Sequence, residues 1–230
     1  RLAEEIERGL ERVGYPPCEG QVTAGNSQWT KPVDEWLRMI GDWFADPSWE
    51  NVRQLLIVAD TRHLYGDPSL TQQFIDEFDR LVAGTPGIRS AMLRNTLRHK
   101  VVLGPLGNLI REQYGEDAGG FDVKYGAYIP MVNAIRLLAL RRGIHETSTL
   151  GRIDALSATL KDKQLAEKWR HAFCTILKLR SMTPFTKMEE GYWTTRGKLR
   201  QQELTKETAG VLKECLHIGE QLQKYIKKSE

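Results

Sequence analysis

The chain has 230 residues, of which 40% are hydrophobic, and a formal net charge of +3. A chain of this length buries a core without disulfides or structural metals, which excludes the class of small, disulfide-dependent proteins. The three cysteines lie far apart and form no C-x-x-C pair, a usage that favours a reducing, cytoplasmic compartment. There is no run of about 20 apolar residues, so the sequence predicts no membrane span and no membrane partner.

Charge is unevenly distributed along the chain. Residues 1–80 carry 8 basic and 15 acidic side chains, residues 81–160 carry 10 and 6, and residues 161–230 carry 15 and 9. The basic part can attract a phosphate-bearing ligand, although ordinary solvated helix faces give the same pattern. The basic segment 89–100, RSAMLRNTLRHK, lacks interleaved aromatic residues and a helix-turn-helix pattern, so nucleic acid is not an expected partner.

The N-terminal segment begins with a helix and then becomes irregular. Its apolar residues are spaced as on one helix face up to Gly14: Leu2, Ile6, Leu10 and Val13. Residues 14–32 are rich in glycine, proline and small polar residues and leave room for one short strand over residues 21–24. Because the chain begins with Arg1 rather than methionine, we expect a further segment upstream.

From residue 33 onward the apolar pattern has a helical period almost throughout. After a first helix beginning near residue 33, it predicts helices over roughly 49–64, 69–83, 87–113, 130–142, 149–158, 162–183 and 203–227. The glycine-rich residues 115–130 predict a loop or a small hairpin. Long amphipathic helices with short links are typical of a helical bundle, so the fold class is mainly α.

Three polar islands interrupt the apolar stretches. The first, ADTRHLYGD, contributes three charged residues: Asp60, Arg62 and Asp67. The second, FDVKYG, contains Asp122 and places Lys124 in the glycine-rich loop, where a lysine is free to meet a ligand. The third consists of two arginines within apolar helices, Arg136 and Arg180.

Each of these two arginines has two interpretations. A buried guanidinium must be paired and hydrogen-bonded, so each arginine is a candidate structural partner of Asp60, Asp122 or Asp154. Alternatively, an arginine meets the phosphate of a ligand. The five histidines are not spaced as a ligand set, and we assign no metal to the chain.

Taken together, these segments resemble a known family. They occur in the order GYPPCEGQVTAGNSQW, ADTRHLYGD, DVKYGAYIPMVNAIRLLALRRGIHETSTLGRIDAL, FCTILKLRSM and GVLKECLHIGEQLQKYI. The chain resembles bacterial nucleotidyltransferases with a C-terminal substrate-binding helical domain, a family related to the GlnD-type PII uridylyltransferases. It departs from the family near Thr23, where a more apolar residue is usual, and just before Asp60, where an aromatic residue is usual.

The resemblance implies a polymerase-β-like transferase domain followed by a helical bundle that closes over the nucleotide or the acceptor. Catalysis in that fold depends on a Gly-Ser turn and a D-x-D pair that holds Mg²⁺, and this sequence contains neither element. Residues 1–32 are therefore interpreted as a helix-strand tail of the transferase domain, and residues 33–230 as the helical substrate-binding or regulatory domain. Mg²⁺ and an NTP are expected for the longer protein, with cystathionine-β-synthase-type or cyclic-nucleotide-binding regulatory domains upstream, as in relatives.

Two functions stay open at this point. The chain is either the substrate-binding part of a signal-transduction nucleotidyltransferase, not catalytic by itself, or a protein-interaction bundle in a degenerate signalling protein. In the first case the partners are a nucleotide and an unknown acceptor. The residues then expected to contact the nucleotide are Lys124, Arg62, Arg136, Asp60 and Asp67.

Overall fold

The computed structural model describes residues 2–188 and 193–229. The α-helices of the described residues are α1 (Leu2–Arg12), α2 (Val33–Ala45), α3 (Trp49–Val58), α4 (Pro68–Gly84), α5 (Ile88–Thr96), α6 (Ile129–Leu140), α7 (Thr149–Thr159), α8 (Lys163–Ser181) and α9 (Lys206–Lys228). A π-helical turn (Lys124–Tyr128) leads into α6, and a 3₁₀ turn (Gln201–Glu203) precedes α9. The mainly α fold that the periodicity predicts is confirmed.

Four short strands in the described residues form two antiparallel pairs: β1 (Phe121–Asp122) with β4 (Lys198–Leu199), and β2 (Phe185–Lys187) with β3 (Trp193–Thr195). In the first pair Phe121 lies opposite Leu199, and both side chains are buried. This pair connects the glycine-rich segment before α6 to the chain just before α9.

Side-chain caps fix the start of several helices. Ser48, Asp67, Ser148, Asp162 and Thr205 each accept a hydrogen bond from a backbone N–H in the first turn of the helix that follows. Such a cap satisfies one of the N–H groups that have no partner within the helix, and it typically contributes about 1 kcal/mol. The sequence thus encodes helix boundaries locally.

The main core lies among the C-terminal helices. Helix α8 packs against α7 and α9, and α6 packs against α5, α7 and α9. Buried apolar residues of the last two helices lie there, with Trp169 and Ile176 from α8 and Leu212, Leu216 and Ile226 from α9. The hydrophobic effect on these faces is what holds the bundle together.

A second part of the core is formed by α2, α3 and α4 and is rich in aromatic rings. Trp36 packs edge-on against Trp43 and Phe74, with ring centroids 6.5 and 5.8 Å apart. Phe78 contacts both Phe44 and Phe74. Edge-to-face rings of this kind add to the stabilisation from buried area, and they fix α2 on α4.

Helix α1 has a different environment. It buries no side chain among the described residues, and its apolar residues Leu2, Ile6 and Leu10 are exposed. The Glu7 carboxylate accepts a hydrogen bond from the Gly25 N–H at 2.8 Å. The predicted helix is confirmed, but its apolar face is not covered by the described residues.

Three local predictions are wrong. Residues 21–24 are irregular and do not form a strand; Gln21 has a φ of 54°, and its carbonyl accepts a hydrogen bond from the Asn26 side chain. The helix predicted over 87–113 ends at Thr96, and the segment that follows, which contains Gly104, Pro105 and Gly107, is not helical. Lys124 does not lie in a loop but begins the π-helical turn.

Within residues 2–188 and 193–229, none of the helices combines the length and the apolar character needed to span a bilayer.

Candidate functional site

Three charged side chains from distant parts of the chain meet at one point. Asp60 lies just beyond the C-terminus of α3, Arg136 lies in α6 and Arg152 in the first turn of α7. The Arg136 Nη2 atom is 2.6 Å from Asp60 Oδ2, and Arg136 Nε is 3.1 Å from both carboxylate oxygens. Arg152 Nη2 donates to Asp60 Oδ1. We call Asp60, Arg136 and Arg152 the ion triad.

The ion triad is largely buried. The exposed fraction of the side chain is 2% for Arg152, 18% for Arg136 and 31% for Asp60. Asn133, one turn before Arg136, accepts a further hydrogen bond from Arg136 Nη1 at 3.0 Å. Packing of α6 against α7 brings the two arginines to the same carboxylate, so the triad depends on the tertiary structure.

Electrostatics keep the carboxylate of the triad ionised. Burial alone raises the pKa of Asp60, but hydrogen bonds and charge attraction from Arg136 and Arg152 outweigh it, and the pKa lies below its ordinary value of 3.8. Two guanidinium groups against one carboxylate leave a net charge of +1 on the triad. Because this positive charge is largely buried and only partly compensated, it favours the binding of an anion.

One donor of the triad has no partner. The Nε atom of Arg152 is buried and makes no hydrogen bond within the described part of the chain. Most buried polar atoms in folded proteins are hydrogen-bonded, so an unsatisfied donor on a buried cation requires an explanation.

The triad lies in the wall of an open cavity of about 420 Å³. We call it the arginine cavity. Its polar lining consists of the triad and three hydroxyl side chains: Asp60, Arg136, Arg152, Thr147, Ser148 and Thr149. Its apolar lining consists of Tyr128, Val132, Leu150, Phe173 and Leu177. Both the size and the combination of apolar walls with a few convergent polar groups are typical of small-molecule sites.

The aromatic wall of the cavity is positioned by the π-helical turn. Tyr128, the last residue of that turn, stacks on Phe173 of α8 with ring centroids 5.7 Å apart and an angle of 24°. The Arg180 guanidinium lies 4.1 Å from the centroid of the Tyr128 ring. Single π-helical turns occur frequently at functional sites, because the extra residue redirects the side chains that follow.

The hydroxyl residues surround the N-terminus of α7. The Ser148 side chain caps the helix by accepting a hydrogen bond from the Gly151 N–H at 3.0 Å. The first turn of a helix carries a partial positive charge, which adds to that of the two arginines. Glu146 does not line the arginine cavity, but its carboxylate packs against Gly151 in the first turn of α7.

The structure brings together two of the five residues predicted to contact a nucleotide, Asp60 and Arg136. The other three lie outside the lining of the arginine cavity, as far as residues 2–188 and 193–229 define it. Arg62 is exposed between α3 and α4, and Asp67 caps α4 through the Ser69 N–H. Lys124 lies with its Nζ atom 5.0 Å from the centroid of the Tyr125 ring.

The aspartate partners proposed for the buried arginines are partly correct. Arg136 pairs with Asp60, as one interpretation predicts. Arg180 stacks on the Tyr128 ring instead, Asp154 pairs with Arg170, and Asp122 accepts a hydrogen bond from the Tyr125 N–H.

Sequence reasoning missed Arg152, the most buried member of the triad. A signal for it exists, because Arg152 lies four and eight residues before Leu156 and Leu160, which are buried. A charged residue on the buried stripe of a helix points to a partner or a ligand.

Another cavity, of about 270 Å³, lies between α2 and α4 and is lined mainly by apolar residues such as Trp36, Leu70 and Phe74. Its charged lining residue is Lys31. It offers fewer groups that could orient a polar substrate, so the arginine cavity is the stronger candidate.

The described residues also contain no group of three or more His, Cys, Asp or Glu side chains placed to hold a metal ion. Both carboxylate oxygens of Asp60 already accept hydrogen bonds from arginines. The residues of the arginine cavity therefore do not fit Mg²⁺ coordination, which needs carboxylate or water oxygens in octahedral geometry.

Comparison with protein families places the chain among nucleotidyltransferase-related proteins. Residues 86–229, more than half of the chain, match the family described as "Putative nucleotidyltransferase substrate binding domain", and the chain belongs to this family. Residues 1–50 match the family described as "Putative nucleotidyltransferase DUF294". Comparison with curated proteins and with solved structures gives no match.

Proposed function

We propose that this chain is the substrate-binding part of a nucleotidyltransferase and that the arginine cavity holds the substrate while transfer takes place on a separate transferase part. The observation that supports it is the cavity itself, in which a cationic triad, three hydroxyls and an aromatic wall face one open space. The family match supports the same role, because the cavity lies mostly within residues 86–229.

Under this proposal the chain positions the substrate and does not carry out the chemistry. Nucleotidyl transfer needs charge neutralisation on the phosphates, which Mg²⁺ supplies in this class of reaction. The described residues offer no cluster for such an ion. Mg²⁺ and an NTP are accordingly proposed for the transferase part, together with an acceptor that docks between the two parts.

The proposal is tested by calorimetric titration of the purified chain with ATP, GTP, CTP and UTP in the presence of Mg²⁺. Arg136→Gln removes the charge of a triad residue and keeps much of its size. Arg170→Gln is the matched control, because Arg170 pairs with Asp154 at an exposed position on the neighbouring α8. We expect at least one nucleotide to bind the wild type and Arg170→Gln, and to bind Arg136→Gln about tenfold more weakly or worse.

Two further variants distinguish this cavity from the sites predicted from sequence. If Lys124→Ala or Arg62→Ala weakens nucleotide binding and Arg136→Gln does not, the nucleotide binds outside the arginine cavity. If none of the four nucleotides binds the wild type, the result favours the alternative, a protein-interaction bundle. Melting temperatures of all variants establish whether each is folded.

A further inference from the structure

We propose that the cavity between α2 and α4 is a separate binding site, which takes a small aromatic carboxylate. The ring of this ligand contacts Trp36 and Phe74, and its carboxylate pairs with Lys31. We call this cavity the aromatic cavity. It shares no lining residue with the arginine cavity, so its ligand is distinct from the nucleotide proposed above.

The aromatic wall of this cavity is held in place from two sides. The Trp36 ring lies 6.0 Å from the Trp29 ring and 5.8 Å from the Phe74 ring, between centroids, and it meets Phe74 edge-on at 88°. Phe74 is itself buried, so the contact ties Trp36 to the core. Rings that are already fixed lose little conformational freedom when a ligand binds, which favours association.

The size and the apolar surface of the cavity favour a small ligand with one ring. Val33 and Leu70 complete the apolar lining, and Leu70 is 48% exposed. A ligand ring that covers this surface removes apolar area from water. The volume of about 270 Å³ is near the lower end of the range for small-molecule sites. A ring with a short side chain therefore suits the cavity better than a larger cofactor.

The charge of the lining selects an anion. Lys31 is the charged residue among those that line the cavity, and its side chain forms no ion pair within residues 2–188 and 193–229. Asp34 and Glu35 follow in the first turn of α2, but both are exposed and neither lines the cavity. A carboxylate in the cavity thus meets a half-buried ammonium group, whereas an amine meets a like charge.

Two hydroxyl groups add hydrogen-bonding capacity beside Lys31. Thr61 and Thr71 both line the cavity, and their hydroxyls have no hydrogen-bond partner in the described part of the chain. A hydroxyl donates to a carboxylate oxygen, and a lysine ammonium carries three donors without a fixed fork geometry. One ammonium and two hydroxyls can therefore satisfy both oxygens of a carboxylate.

Calorimetry on the purified chain tests the site with three probes of similar shape and different charge. They are phenylpropionate, its neutral amide phenylpropionamide, and the cation phenylpropylamine. We expect phenylpropionate to bind most tightly and the amide to bind about tenfold more weakly, because the amide loses the charge-assisted hydrogen bond to Lys31. The amine should not bind.

Two variants locate the site, each with a matched control. Lys31→Gln should weaken phenylpropionate binding about tenfold by removing the charge, and Leu70→Ala should weaken it about fivefold by removing apolar contact. Lys168→Gln on α8 and Leu106→Ala, at a position that is 89% exposed, lie outside the lining and should bind as the wild type does. Melting temperatures establish that each variant is folded.

Several results would overturn the proposal. They are an amide or amine that binds as tightly as phenylpropionate, phenylpropionate that does not bind at millimolar concentration, and binding that is equal in all variants. Binding that is weakened by Arg136→Gln and not by Lys31→Gln would assign the carboxylate to the arginine cavity instead. Nucleotide binding is measured separately, so its failure would leave the aromatic cavity unaffected.

Discussion

Replacing Asp60 by asparagine gives the sharpest test of the ion triad as a structural element. The substitution keeps the shape of the side chain and removes its charge, so that Arg136 and Arg152 face each other with no counter-ion between them. Removing one partner of a buried ion pair costs about 3–5 kcal/mol of the free energy of unfolding. Because the Asp60 side chain is 31% exposed, we expect the lower end of that range, about 3 kcal/mol.

The assay is thermal unfolding followed by circular dichroism, with Asp154→Asn as control. In a chain of this size 1 kcal/mol changes the melting temperature by about 2–4 °C, so Asp60→Asn should lower it by about 6–12 °C. Asp154 also pairs with an arginine, but the side chains of Asp154 and Arg170 are 59% and 48% exposed. A surface pair of that kind contributes about 0–1 kcal/mol. Equal melting temperatures for the two variants would refute the structural role of the triad.

The pH dependence of stability provides an independent check on Asp60. Its pKa is lowered in the folded state, because the hydrogen bonds and charges of Arg136 and Arg152 outweigh the effect of burial. The stabilisation is therefore fully present above the unfolded value, near 3.8, and is lost as the pH falls through the lower folded value. We expect Asp60→Asn to remove this part of the acid sensitivity; acid titrations of wild type and variant that lose stability in parallel would contradict the assignment.

Three further predictions concern the core and the chemistry. Leu212→Ala, at a fully buried position of α9, should cost about 2–5 kcal/mol in urea unfolding, whereas Val211→Ala at its exposed neighbour should cost little. Gly126→Ala should destabilise by about 1–3 kcal/mol, since a Cβ there would lie 2.9 Å from Phe121 Cζ; unchanged melting would show that the π-helical turn relaxes freely. The purified chain should not transfer labelled nucleotide from any NTP with Mg²⁺, and turnover that survives controls would contradict this.

The sequence by itself determined the helical class and most of the helices. Helical periodicity is a local property, and so are the caps, because Asp67, Ser148 and Thr205 act on the N–H groups two or three residues away. The same local reasoning failed for residues 97–113, where apolar residues continue although glycine and proline prevent a helix. It also predicted a strand at residues 21–24 without a partner strand to pair with.

Only the tertiary structure decided the site. The sequence marks Asp60 and Arg136 as polar residues next to apolar stretches and as a candidate pair, but it does not indicate Arg152, because Arg152 lies 92 positions from the Asp60 carboxylate to which it donates. The glycine-rich surroundings of Lys124 predict a loop residue, whereas the fold makes Lys124 the first residue of a π-helical turn whose last residue, Tyr128, lines the cavity. Helix propensity depends on neighbours along the chain, whereas an ion triad or a cavity depends on which faces of distant helices pack together.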